Sequence, residues 1–234
     1  MTTFVLVHGA WHGGWCWVRV AERLRAAGHT VFTPTLTGLA DRSHLMSPTL
    51  SLMTHIKDVV GLLEWEELSD VVLVGHSYGG VVITGAADRA VGRVKSLIYL
   101  DALVPAHGQS AMDVRRPEQV EAAYAAAKAT GNGWRIPPTT AATFMVNEAD
   151  QAWVDSKCTD LPLACFTEPL YLSGAIDAIT TRVYIRAAGY PAPQFDATLE
   201  AFRDDDYDTY AVDCGHDVMV DAPEELTEIL VKYA

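Results

Sequence analysis

Apolar residues in this chain fall into short unbroken runs separated by longer stretches of helical spacing. Phe4-Val5-Leu6-Val7, Val71-Val72-Leu73-Val74 and Ser96-Leu97-Ile98-Tyr99-Leu100 have the length and branched content of strands buried on both faces. Thr30 to Phe32, Arg182 to Ile185 and Tyr207 to Val212 continue the series. Between them the spacing predicts helices: about Gly14 to Ala27, stopped by Ala27-Gly28-His29; a helix capped by Thr54 that buries Ile56, Val59, Val60, Leu62 and Leu63; one from Val81 onward; and a closing one from Pro223 to Tyr233. Continuous apolar strands alternating with helices predict an α/β fold, with a mainly parallel six-stranded sheet flanked by helices.

The stretch from Leu103 to Ala178 breaks the rhythm. It carries an Ala-rich helix (Glu121 to Ala129), a Gly-Asn-Gly turn, Pro137-Pro138 and the aromatic residues Trp134, Phe144, Trp153, Phe166 and Tyr171. Because it falls just before the next-to-last strand, it is expected to lie as a small helical cap over the carboxyl edge of the sheet, where such folds bind ligands. The division expected is a core of residues 1–102 and 179–234 and a cap of residues 103–178.

Composition narrows the partners. A chain of 234 residues with 50% apolar content suits one domain with an insertion. The net charge of -13 disfavours nucleic acid and anionic membranes and leaves small-molecule substrates. The chain enters its first strand almost at once, with no basic, cleavable leader and no apolar run of membrane-spanning length, so a cytoplasmic location is expected. Cys16, Cys158, Cys165 and Cys214 lack metal-ligand spacing and read as packed thiols. Oligomeric state is not readable, and a homodimer stays open.

Chemistry enters at Gly75-His76-Ser77-Tyr78-Gly79-Gly80, where a buried strand runs into Gly-x-Ser-x-Gly and then a helix. This is the pattern of a nucleophile elbow, whose serine sits on a strained turn at the sheet edge. A serine hydroxyl needs a base within reach, and the base needs a group to fix its tautomer. His216, in the loop between the last strand and the last helix, has the right chain order. His8 and His76 adjoin glycine turns, His29 ends a helix, and His44, His55 and His107 sit in polar or surface-like segments. Asp101 directly follows a strand and is preferred as the acid over Asp196, which lies several residues beyond the next one. Asp213 and Asp217 flank His216 too closely to reach its ring and read as solvated loop charges. Backbone amides of Ala10, in the glycine-rich loop His8 to Trp15, and of Tyr78 would form the oxyanion hole. That loop lacks the Lys and Ser/Thr of a phosphate-binding loop.

Taken together, Phe4 to Trp17, the elbow around Ser77 and Gly215-His216-Asp217 resemble the α/β-hydrolase superfamily, in the branch of plant methylesterases and hydroxynitrile lyases with bacterial esterase relatives. The resemblance covers nearly the whole chain. It implies the α/β-hydrolase fold, no cofactor and no metal, and Ser77, His216, Ala10 and Tyr78 in the roles above. The stretch Leu100-Asp101-Ala102-Leu103-Val104-Pro105 resembles bacterial relatives and favours Asp101. Two departures matter: the lyases carry lysine where this chain has Asp217, and threonine where it has Gly9. Cyanohydrin cleavage is therefore disfavoured, because a carboxylate repels cyanide.

The expectation is a serine esterase that cleaves a small hydrophobic or aromatic carboxylic ester through an acyl-enzyme, with Trp11 and Trp134 in the substrate pocket. Lactonase, thioesterase, carbon-carbon hydrolase and perhydrolase activities use the same groups, and a ligand receptor on a hydrolase fold is the alternative outside enzymes. The acyl and alcohol parts of the substrate are not encoded legibly.

Overall fold

Strands with no polar face must be covered on both sides, and the computed structural model, which describes residues 1–205 and 207–234, does this with alternating helices. The core elements are β1 (Thr3–Val7), α1 (Val18–Ala26), β2 (Thr30–Phe32), α2 (Leu52–Trp65), β3 (Val71–His76), α3 (Gly79–Arg89) and β4 (Val94–Leu100). The intervening segment holds α4 (Pro117–Thr130), β5 (Arg135–Ile136), α5 (Glu148–Lys157), β6 (Leu161–Pro162) and α6 (Leu163–Thr167). The chain then returns through β7 (Thr181–Ala187), α7 (Pro193–Asp204), β8 (Asp208–Val212), α8 (Val218–Asp221) and α9 (Pro223–Val231).

The six-stranded sheet has the order β2-β1-β3-β4-β7-β8. Every pairing within it is parallel. The chain runs outward from β1 to β2 and then crosses back to β3 on the other side of β1. Loops leaving the carboxyl ends of β1 and β3 therefore part in opposite directions and open a crevice between them. Ala10 and Ser77 stand on those two loops.

The elbow depends on glycine at two places. A Cβ on Gly75 would lie 2.6 Å from the Gly79 carbonyl oxygen, and one on Gly79 would lie 2.7 Å from that of His8. With those side chains absent the turn closes and leaves Ser77 at φ 54°, in the left-handed region that serine rarely occupies.

Several elements differ in detail from expectation. Helix α2 begins at Leu52, with Ser51 as its extended N-cap; Thr54 is the third helical residue, and its hydroxyl oxygen accepts from the Ser51 amide at 3.4 Å. The first predicted helix opens with a short 3-10 turn, Gly14–Trp17, before α1. In the insertion, Pro117 starts α4 four residues earlier than predicted, since its fixed φ suits the first helical turn. The insertion also contains a two-residue antiparallel pair, β5 with β6, which is too short to show a period. Among the described residues no helix is long and apolar enough to cross a membrane.

Gly75→Ala should lower stability by about 1–3 kcal/mol, the usual cost of overpacking, because the clash is with backbone and not with a movable side chain. Urea unfolding checks this; an unchanged midpoint would mean that the elbow relaxes freely.

Candidate active site

Three strand ends deliver the candidate residues to one place. Ser77 leaves β3, Asp101 leaves β4 and His216 leaves the loop after β8. Ser77 and His216 line a chamber of about 40 Å³ together with Ala10, Trp11 and Phe144. Behind the imidazole, His216 Nδ1 meets Asp101 Oδ2 at 2.6 Å. Asp101 has no exposed surface, so its carboxylate requires further donors. Arg186 supplies one at 2.8 Å and the Ala187 amide another at 3.1 Å, both to Oδ1. The Asp101 backbone sits at φ 42°, held by its amide's bond to the Ile185 carbonyl at 2.7 Å.

Arg186 also explains Asp196. The guanidinium reaches Asp101 with Nη1 and Asp196 with Nε at 2.8 Å, and Nη2 donates to the Tyr190 carbonyl at 2.6 Å. Both carboxylates considered for the relay are thus held by one buried arginine. Asp101 is fully enclosed and touches the histidine; the Asp196 side chain is 60% exposed and touches only Arg186 among these groups.

The His216 ring is held by aromatic packing. Phe195 stacks on it at 5.4 Å and 8°, and Tyr190 and Phe144 approach at 4.9 and 5.2 Å. Its backbone is gripped from both sides: the amide donates to the Phe144 carbonyl at 2.9 Å, and the carbonyl accepts from His76 Nε2 at 3.0 Å. Among the described residues neither the Ala10 nor the Tyr78 amide has an acceptor within the protein. Ala10 lines the chamber with Ser77, and Tyr78 follows Ser77 in the chain.

Asp217 and His55 depart from expectation. Asp217 is not a solvated loop charge but fully buried, because the chain turns inward at once into α8. Its Oδ2 accepts from His12 Nε2 at 2.9 Å, while His12 Nδ1 donates to the Ala10 carbonyl at 2.8 Å. With both ring nitrogens facing acceptors, His12 suits the imidazolium form. Burial opposes its charge, but Asp217 and the carbonyl outweigh that and hold its pKa above the ordinary value. Burial likewise opposes the Asp217 carboxylate, and His12 holds it well below the usual carboxylate range. His76 stays neutral, since burial and the neighbouring His216 both disfavour its charge. His55, expected near the surface, is buried on the inner face of α2 and donates to the Thr37 carbonyl at 2.9 Å.

The neutral tautomer of His8 is fixed by its partners. Nδ1 donates to the Gly9 carbonyl at 2.8 Å, and Nε2 must accept, because the Leu36 amide points at it from 3.0 Å. Burial pushes its pKa down to about 3.

A second, larger cavity of about 400 Å³ joins the first. It shares Trp11, Arg115, Gln119, Phe144, Phe166 and Tyr190 with the small chamber and extends along α4. Trp11 lines both, its indole nitrogen donating to the Ile136 carbonyl at 3.0 Å. Trp134 lines neither of the two; Arg135 packs over its ring at 5.3 Å. The aromatic lining comes instead from Phe144, Phe166, Tyr190 and Phe195, whose convergence no periodicity announces. Among the described residues no cluster of His, Cys, Asp or Glu is arranged to hold a metal ion.

Comparisons with known proteins agree on the fold. A model of the alpha/beta hydrolase family matches residues 4–229. A carbendazim hydrolyzing esterase from Nocardioides sp. is 46% identical over 98% of both chains. Methylesterase 10 of Arabidopsis thaliana is 28% identical over 99% of this chain and 91% of its own length. Among solved structures, an extracellular alpha/beta-hydrolase from a Paenibacillus species superposes with a TM-score of 0.88 at 24% identity, covering 100% of this chain and 99% of that one.

Two stability predictions follow from the buried histidines. His8 binds a proton in the unfolded chain below about 6.5 but resists it in the fold until about 3, so between those values the unfolded state holds more protons and stability falls on acidification. Urea midpoints should be lower at pH 5 than at pH 7, and the difference should shrink in His8→Asn, which has no titrating ring; an equal difference would contradict the assignment. Asp217→Asn removes the carboxylate that favours the His12 charge, so the buried ring would shed its proton, and loss of the charge-assisted hydrogen bond should cost about 1.5–3 kcal/mol in the same assay.

Proposed function

The chain belongs to the alpha/beta hydrolase family, and from that membership we propose that it is a serine hydrolase of carboxylic esters. One observation carries the reading: Ser77 on its strained turn shares a chamber with His216, whose far nitrogen rests on the buried Asp101 carboxylate. The naming of relatives as esterases supports it.

In the proposed reaction His216 takes the Ser77 proton as the hydroxyl oxygen attacks the ester carbonyl. The oxyanion that forms accepts from the Ala10 and Tyr78 amides. Asp101 keeps the Nδ1 proton in place and stabilises the imidazolium, with Arg186 holding the carboxylate's other oxygen. His216 then protonates the departing alcohol, leaving Ser77 acylated. Water, deprotonated by His216, attacks the acyl-enzyme; collapse returns the proton to Ser77 and releases the acid. The aromatic chamber favours an apolar or aromatic ester over a highly polar one. Asp217 gives no help to a leaving cyanide: it is buried, anionic and committed to His12.

Ser77→Ala should abolish both release of p-nitrophenol from short p-nitrophenyl esters and labelling by a fluorophosphonate, a loss on the order of 10⁶-fold. Negligible turnover by the unmodified protein alongside tight ligand binding would favour a receptor instead. Asp101→Asn should lose roughly 10⁴-fold, as expected when the histidine loses its tautomer. Asp196→Asn should lose far less, and equal losses would reverse the assignment of the acid.

A further inference from the structure

Arg115 stands just before α4, and its side chain lines both the chamber of Ser77 and the larger cavity beyond it. Neighbouring Arg116 pairs with Glu118 at 3.1 Å. Arg115 has no such pair among the described residues; its guanidinium carbon lies 4.7 Å from the Phe166 ring centroid. A ring face steadies the cation but satisfies none of the five N–H donors as a hydrogen bond. Partial burial works against the charge and lowers the arginine's proton affinity.

Such an arrangement is costly unless something else meets it. The other walls are aromatic (Trp11, Phe144, Phe166 and Tyr190) and the polar neighbour common to both cavities is the neutral Gln119. Of the two arginines lining the larger cavity, Arg116 is paired with Glu118, and only Arg115, unpaired among the described residues, also lines the chamber that holds the Ser77 hydroxyl. At long range the chain's net charge of -13 repels anions. That field is screened over about 10 Å of salt water, whereas a guanidinium in direct contact in a half-buried, aromatic-lined pocket is screened far less.

We infer that Arg115 is a specificity-determining residue that selects esters bearing an anionic acceptor, a carboxylate above all, on the portion of the substrate seated in these cavities. This rests on the esterase reading and names the substrate class within it. The carboxylate would accept from the guanidinium edge while the apolar body of the ester lies against the aromatic walls and its carbonyl sits at Ser77. Arginine suits this better than lysine because its planar fork can donate to both carboxylate oxygens at once.

The test compares mono-p-nitrophenyl glutarate with p-nitrophenyl valerate, esters of equal acyl length that differ in a terminal carboxylate. The measured quantity is the ratio of their kcat/KM values in each variant. Because both esters meet the same preparation, a loss of folded protein cancels from the ratio. The unmodified protein should favour the glutarate. In Arg115→Met the ratio should fall by at least about tenfold, the scale of one charge-assisted hydrogen bond, chiefly through KM of the glutarate. Arg115→Lys should restore part of it. A ratio unmoved in Arg115→Met, with valerate still turned over, overturns the anion subsite and leaves the esterase reading standing. Release from neither ester by the unmodified protein overturns both.

Discussion

The site is built around a carboxylate that the fold has taken entirely out of water. An isolated carboxylate in that position would be expensive enough to protonate or to unfold its surroundings. Asp101 persists because donors arrive from two further strand ends: Arg186 and the Ala187 amide from β7, and His216 from the loop after β8. The same contacts orient the imidazole that faces Ser77's chamber. Register and catalytic geometry are therefore one requirement: a slip between β4 and β7 would remove two of the three donors. The backbone strain at Asp101 is tolerated for the same reason, since the surrounding hydrogen bonds over-determine its position.

The end of β7, the next-to-last strand, carries no carboxylate of its own. Where an acidic residue could have stood, the chain has Arg186-Ala187, and both reach across to the carboxylate at the end of β4. Arginine in an apolar strand gave no hint of that role, because the strand pattern shows where a side chain starts and not how far a guanidinium extends.

The fold was legible because its strands are uniformly apolar: once β1, β3 and β4 are recognised as buried on both faces, a covered parallel sheet is the only economical layer arrangement. Ser77, Asp101 and His216 could be nominated from chain order and strand ends alone. What local pattern could not reveal was contact between distant segments. Asp217 looked like a loop charge because its burial depends on His12, 205 residues away. His55 is polar within an otherwise apolar helix face, yet the Thr37 carbonyl accepts its N–H hydrogen bond. Trp134 was an attractive pocket residue by size, while the wall is formed by Phe144, Phe166, Tyr190 and Phe195, from three separate stretches of chain.

The hydrogen bond from the His216 amide to the Phe144 carbonyl has a mechanical meaning. It fastens the insertion to the histidine loop by main chain alone, so truncating either side chain leaves the bond's donor and acceptor in place. Close by, a Cβ on Gly215 would lie 2.2 Å from the Met145 carbonyl oxygen, so the two segments are pressed together without a spacer. A wholesale swing of the insertion away from the sheet would pull His216 from its seat. The open approach to the serine is then the larger cavity that runs along α4 and joins its chamber.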